Sequence, residues 1–448
     1  MLLLYLFLVI VFCVVGAFIG MLTGLLPGLH VNNIALILVS LSGGIIAFCA
    51  PLSGFGVSES FVFVLICCFI LGVSVSHSFH NCLPATFLGA PDEDTALSVL
   101  PAHALLLQGR GYEAVVLSAL GSLGAIFVCF LLFFPLRFVI GEPFSLYSVL
   151  QKSMAWILIA VVVLMIFTEK GKIRVFNVSG RASSFFGMLF AVFLFFLCGF
   201  FGLVLLDFSV SSPFGLPAPV LFPALAGLFG APTLVTSLLS KPVIPVQVIT
   251  RVELSRKEKK TSVVSVFAGS CAGVLVSILP GVTSAVGTIL AMTFRGKADH
   301  EQTIMTLSAV NTAAAFFVVV VLFILLRARS GVVLAMSELI AVEQWGSVLM
   351  PLDLVYFLVA ILVSGVVSFG LVIWCGRWFA RSFVRVPYSL LVGLTLVLVL
   401  VLVFVFTGVF GVLVFLVATC IGLLPVLWGV RRSHCMGVLL IPVILYFL

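Results

Sequence analysis

Apolar residues in this chain come in blocks separated by short polar tips, and many of the blocks reach the ~20 residues a membrane-spanning helix needs. In a bilayer only helices or closed barrels satisfy every backbone hydrogen bond. The runs 2–26, 31–49, 60–76, 113–135, 145–168, 183–206, 220–239, 302–326 and 353–375 predict helices. The run 388–428 is long enough for two crossings around Thr407-Gly408-Val409-Phe410-Gly411. Two places break the pattern. Pro27-Gly28 interrupts the first block and is followed by His30, Asn32 and Asn33. Pro280-Gly281 interrupts the block 262–294 and is followed by Thr283 and Ser284.

The two breaks belong to an internal repeat. Gly16, Gly20, Leu22, Leu26, Pro27 and Gly28 meet Gly269, Gly273, Leu275, Leu279, Pro280 and Gly281 when one segment is laid on the other. Each copy carries a ridge of small residues, Gly16-xxx-Gly20-xxx-Gly24 and Gly269-xxx-Gly273-xxx-Ser277, which lets another helix backbone approach closely. Matched breaks in two halves of a membrane protein mark a substrate site at the repeat interface.

The stretch 82–110 reads differently. Pro84, Pro91 and Pro101 interrupt it, and each arm beside Asp92-Glu93-Asp94 is too short to cross about 30 Å of hydrocarbon. A re-entrant or cavity-lining hairpin is the expectation.

Composition excludes a soluble domain. Hydrophobic residues make up 63% of the chain, charged residues 8%, and the mean hydropathy is +1.41; a soluble domain carries about 25% charge. The net charge of +7 gathers in short loops, as the positive-inside rule requires, and does not imply nucleic acid. The eleven cysteines lie mostly in apolar blocks without a CxxC pair and read as quiet thiols. Residues 2–19 lack a basic n-region and read as a retained first helix rather than a signal peptide.

The basic loops place 169–182, 240–261, 295–301, 376–386 and 429–434 in the cytoplasm. The first Pro-Gly hairpin then starts and returns outside, and the second starts and returns inside. The fold class expected is an all-α polytopic membrane protein of about 10–14 helical spans, with broken or re-entrant helices and two inverted repeats. The halves would be 1–168 and 262–386, joined by connecting helices and a basic loop at 169–261 and followed by C-terminal helices at 387–448.

A helix restarting after Pro-Gly presents free N–H groups at the positive end of its dipole, and these bind anions. Candidate substrate-binding residues are therefore Pro27, Gly28, His30, Asn32, Asn33, Pro280, Gly281, Thr283 and Ser284. A tight turn with polar caps is the plainer reading of one copy. Asn81, beside His80, and Asn311-Thr312 are intramembrane polar residues in roughly corresponding positions of the two halves. Interhelical hydrogen bonding is their alternative role. Asp92, Glu93, Asp94 and Arg110 are candidates for ion coupling or charge pairing, with a solvated loop tip or topology anchor as alternatives. His77 and His80 share a helix face without an evident third ligand, so no metal site is expected. Neither a nucleophile–base pair nor a phosphate loop is present, so an enzyme is not expected. The competing reading is an intramembrane enzyme or lipid-handling protein built on Asp92-Glu93-Asp94 and the histidines.

At these residues the chain resembles the TctA family, the large permease subunit of tripartite tricarboxylate transporters. The resemblance rests on the opening at 16–28 and on Ala90-Pro91 with the acids and Leu100-Pro101-Ala102-His103 up to Gly109-Arg110-Gly111. The second Pro-Gly and the ending Arg431-Arg432-Ser433-His434-Cys435-Met436-Gly437 add to it. It implies a secondary active carboxylate transporter that works by alternating access and is driven by a Na⁺ or H⁺ gradient, without a cofactor. It also implies a multi-pass protein of the prokaryotic plasma membrane, working with a small membrane subunit and an extracytoplasmic binding protein. A homo-oligomer is compatible with all of this.

Overall fold

The computed structural model describes residues 1–26, 34–35, 38–39, 42–89, 99–169, 181–206, 208, 212–215, 221–240, 244–250, 252–253, 255–279, 282–296, 299–382 and 387–448. Among the described residues there is no strand. Nine of their helices are long and apolar enough to cross a membrane. They become ten when the bent pair Leu146–Lys152 and Met154–Phe167, at 74°, counts as one span.

Seven helices position the site. They are α1 (Leu2–Gly24), α2 (Glu59–His80), α3 (Gly111–Ile140), α4 (Arg256–Ile278), α5 (Ser284–Arg295), α6 (His300–Leu325) and α7 (Leu352–Ser382). The two small-residue ridges do the same work in both halves. A Cβ on Gly16 would stand 2.5 Å from the Phe69 carbonyl oxygen, and one on Gly269 would stand 2.6 Å from that of Thr306. Both lie well inside van der Waals contact, so α1 packs on α2 and α4 on α6 only because these positions lack side chains.

The two pairs run in opposite directions. Phe61, near the start of α2, stacks on Tyr5 and meets Tyr356 near the start of α7. Phe323, near the end of α6, meets Phe357 of the same α7 turn, and its carbonyl accepts from the Trp345 N–H. The start of α2 and the end of α6 therefore share one end of the bundle, the Trp345 end. At the opposite end, Arg110 bonds Glu301, Arg295 bonds Gln302 and the Arg377 Nε donates to the Tyr112 hydroxyl at 2.9 Å. This Arg110 end holds the loops that the charge pattern assigns to the cytoplasm.

The same contacts correct one expected correspondence. Gly16 and Gly20 rest on Phe69 and Val73, whereas Gly269 and Gly273 rest on Thr306 and Val310. In that register Asn311 is the counterpart of Ser74, and Asn81 lies about two helical turns further on. The sequence pairing of Asn81 with Asn311 fails because small-residue ridges, not the polar residues, set the packing.

Two further elements frame the core. The arms Cys82–Phe87 and Val99–Leu107 are short helices; Cys82 through Leu88 are buried, as are Ala102, Leu105 and Leu106. The run Tyr388–Trp428 breaks at Gly408, whose φ of 64° is open to glycine at little cost. Leu238 lies beside Gly393, and Leu228 against Gly422, so both arms run along the helix Leu221–Ser240. Those are the two crossings expected there.

Candidate functional site

The start of α5 lies on a polar cavity. Thr283 is the N-cap of α5 but makes no side-chain cap; its hydroxyl instead meets the Met436 sulfur at 3.7 Å. The first-turn amides of α5 therefore receive no side-chain cap from Thr283. Ser284, 2% exposed, donates from Oγ to the Asn311 Oδ1 at 3.3 Å, which ties α5 to α6. Thr312 is buried beside Asn311, and its hydroxyl has no partner. The cavity has a volume of about 610 Å³ and takes Ser74, Thr283, Ser284 and Asn311 from its deep side.

Its other wall is cationic. Arg327 and Arg329, just past the end of α6, line the cavity together with Tyr147 and Gln151. Arg329 Nη2 donates to the Tyr147 hydroxyl at 2.6 Å, and Arg327 Nη1 donates to the same oxygen at 3.3 Å. The guanidinium carbons lie 5.1 Å and 5.5 Å from the Tyr147 ring centroid, within cation–π range. Arg329 Nη1 also donates to the Ile278 carbonyl, which ends α4 just before the break. Arg329 thus meets the negative end of α4. Sequence reasoning passed over Tyr147, Arg327 and Arg329 as site residues. A signal existed: Arg327 and Arg329 are basic residues at the end that the charge pattern assigns to the outside, against the positive-inside bias.

Along α6 the polar path continues. After the cavity at Asn311 comes a narrow waist of about 10 Å³, lined by Asn81, Ser118, Ser308 and Asn311. That is about the room of one water molecule. Ser118 and Ser308 share a hydrogen bond of 2.8 Å across it, between α3 and α6. Beyond the waist a second cavity of about 600 Å³ holds Arg110, Glu113, Glu258, Asp299 and Glu301. Here acids are in excess, and the one arginine is paired. The Arg110 fork donates to both Glu113 oxygens at 2.8 Å and 2.6 Å, and Nη2 also reaches Glu301 at 2.9 Å. The hydrogen bonds to Glu113 push the Arg110 pKa up, with Glu301 adding to them and partial burial opposing. Of its two expected roles, charge pairing is what the geometry supplies, and the partners are Glu113 and Glu301.

The structure thus brings together Asn81, Ser284, Asn311 and, at the edge, Thr283, with Thr312 behind them. Pro27, Gly28, His30, Asn32, Asn33, Asp92, Glu93, Asp94, Pro280 and Gly281 lie outside the described residues. His77 and His80, central to the competing enzyme reading, bind between and along helices: His77 Nδ1 meets the Thr23 hydroxyl at 3.2 Å, and His80 Nδ1 the Ser76 carbonyl at 2.7 Å. Among the described residues no group of histidine, cysteine and acidic side chains is arranged to hold a metal ion.

These features define a multi-pass helical membrane protein with two oppositely directed helix pairs and polar cavities along α6. The chain belongs to the tripartite tricarboxylate transporter TctA family, whose model matches residues 10–437. A relative is the uncharacterized protein MJ1079 of Methanocaldococcus jannaschii, 27% identical over 98% of this chain and 99% of that protein. No solved structure matches the chain.

Proposed function

We propose that this protein is a secondary active permease, not an enzyme, for a small organic anion of the di- or tricarboxylate class. It is coupled to a Na⁺ or H⁺ gradient and works by alternating access. The observation that carries this reading is the 610 Å³ cavity, where the start of α5, Ser284 and Asn311 share the lining with two arginines and no acidic side chain among the described residues. Free helix amides and hydroxyls bind carboxylate oxygens without a counter-charge of their own.

The arginine and Tyr147 rim of the cavity lies at the end that the charge pattern calls outside, and Ser118 and Ser308 lie further along α6 towards the cytoplasmic end. Substrate would enter from outside and settle against α5. It would be released past the waist once the two oppositely directed helix pairs rock against each other. The family's description as tripartite supports two partners, a small membrane subunit and an extracytoplasmic binding protein that delivers substrate to the outer cavity. Membership also supports a place in the prokaryotic plasma membrane.

The test is uptake of labelled di- and tricarboxylates into proteoliposomes under imposed Na⁺ and H⁺ gradients, with the partner proteins supplied. Ser284→Ala and Asn311→Ala should each lower uptake about 10-fold, the scale of one lost hydrogen bond to a charged group, while the protein stays folded. Unchanged uptake in both variants would remove this cavity as the site. No accumulation of any carboxylate by the wild type would remove the function.

A further inference from the structure

The outer rim of the cavity holds two cations that the described fold does not neutralise. Arg110 and Arg431 each find a carboxylate, on Glu113 and Glu301 for the first and on Glu169 for the second. Arg327 and Arg329 do not pair with an acidic side chain among the described residues. Both donate to the single Tyr147 hydroxyl, a neutral acceptor with two lone pairs. The Arg329 Nε hydrogen is buried and has no acceptor among the described residues. Burial pulls the Arg329 pKa down, and the nearby Arg327 pulls it further, against the effect of Tyr147. Two guanidinium groups converge on one oxygen, at the edge of a cavity whose described lining residues include no Asp or Glu.

We propose that Arg327 and Arg329, braced by Tyr147, form a second anion subsite in the same cavity as the start of α5. This rests on the transport reading and makes it more specific. A substrate is read at two points: one carboxylate lies against α5, Ser284 and Asn311, and a second anionic group takes the guanidinium donors. The planar fork suits this task, because an arginine presents paired donors matched to the two oxygens of a carboxylate. Arg329 is also fixed by the Ile278 carbonyl, so it serves as the rigid member. Arg327 is the exposed member, free to close over the ligand. Selectivity for two anionic groups over one then resides in Arg327, not in the helix break.

The test uses purified full-length protein and equilibrium binding of three labelled probes: succinate, citrate and butyrate. Arg327→Gln should weaken succinate and citrate about 10- to 100-fold, the range for a lost charge-assisted hydrogen bond, and butyrate less than about 2-fold. Tyr147→Phe should give a smaller loss with the same selectivity. Arg327 has no backbone partner among its hydrogen bonds, so its variant should melt like the wild type. Arg329→Gln, which loses the tie to α4, serves only as a comparison. Equal weakening of succinate and butyrate would reduce the arginines to a general attractive field and overturn the subsite. Unchanged binding of all three probes would overturn it as well. In either case wild-type binding would leave the transport reading standing, whereas a wild type that binds none of the probes would bring both down.

Discussion

The two cavities on either side of the waist are nearly equal in size and opposite in electrostatic design. The one at the Arg110 end, about 600 Å³, is acidic: five carboxylates and one arginine line it, and the arginine bridges two of those carboxylates, from α3 and α6. The one at the Trp345 end, about 610 Å³, carries two arginines and no acid among its described lining residues. A guanidinium already matched by carboxylates holds elements together and asks nothing of an anion. An unbalanced one gains when an anion arrives, because desolvated donors left without acceptors are costly. The first design suits a latch between helices and the second a binding site. Arg110 and Arg327 look alike in sequence and differ only in what the fold sets opposite them.

This contrast can be broken at the point between the cavities. Ser118→Leu fills the waist, and we expect uptake to fall by at least about 100-fold while carboxylate binding from the outer side stays intact. Overpacking of this kind costs about 1–3 kcal/mol of stability, which thermal melting would register. Parallel loss of binding and uptake would show that the waist is part of the binding site and not a barrier beyond it.

A third charged cluster supplies the buried limit of a paired arginine. Glu169, 5% exposed, accepts from His434 Nε2 at 2.8 Å and from Arg431 Nε at 3.0 Å, which ties the end of Met154–Phe167 to the segment before Gly437–Phe447. Burial alone would raise the Glu169 pKa, but the His434 hydrogen bond and the Arg431 charge outweigh it and hold the carboxyl at about 2. Its contribution is therefore present above the ordinary value of 4.5 and is lost as pH falls from 4.5 to about 2. Glu169→Gln should cost about 3 kcal/mol, the scale for breaking a buried ion pair. It should also flatten the acid side of the melting curve over that window. An unchanged acid limb would show that Glu169 does not report on folding.

The smallest effect is expected at the Arg110 latch, which is partly exposed. Arg110→Ala should cost about 1 kcal/mol or less but loosen the inner side. In a background without the exposed Cys271 and Cys420, Ser308→Cys should then react several-fold faster with a membrane-impermeant thiol reagent applied from the cytoplasm. Faster labelling from the outside instead would reverse the sidedness assigned to the two cavities.

Much of the architecture was legible in sequence, for identifiable reasons. Long apolar blocks leave helices as the one reading, and Gly408 marks the break in Tyr388–Trp428. The ridge at Gly269 and Gly273 shows in sequence because only small residues permit the contact with Thr306 and Val310. Ser284 and Asn311 could be named because uncharged polar groups stand out in apolar blocks. That they bond each other at 3.3 Å could not be read, since 27 positions and a helix break separate them.

What the sequence determined by itself is thus the local and the periodic: helical spans and small-residue ridges. Each follows from the bilayer acting on a segment of chain without reference to its neighbours. Tertiary structure alone decided the register that pairs Asn311 with Ser74, the waist between Ser118 and Ser308, and the partners of each arginine. Those depend on which distant side chain arrives within about 3 Å, the reach of a hydrogen bond. No local pattern encodes that distance, and it is why Arg110 faces carboxylates while Arg327 faces an open cavity.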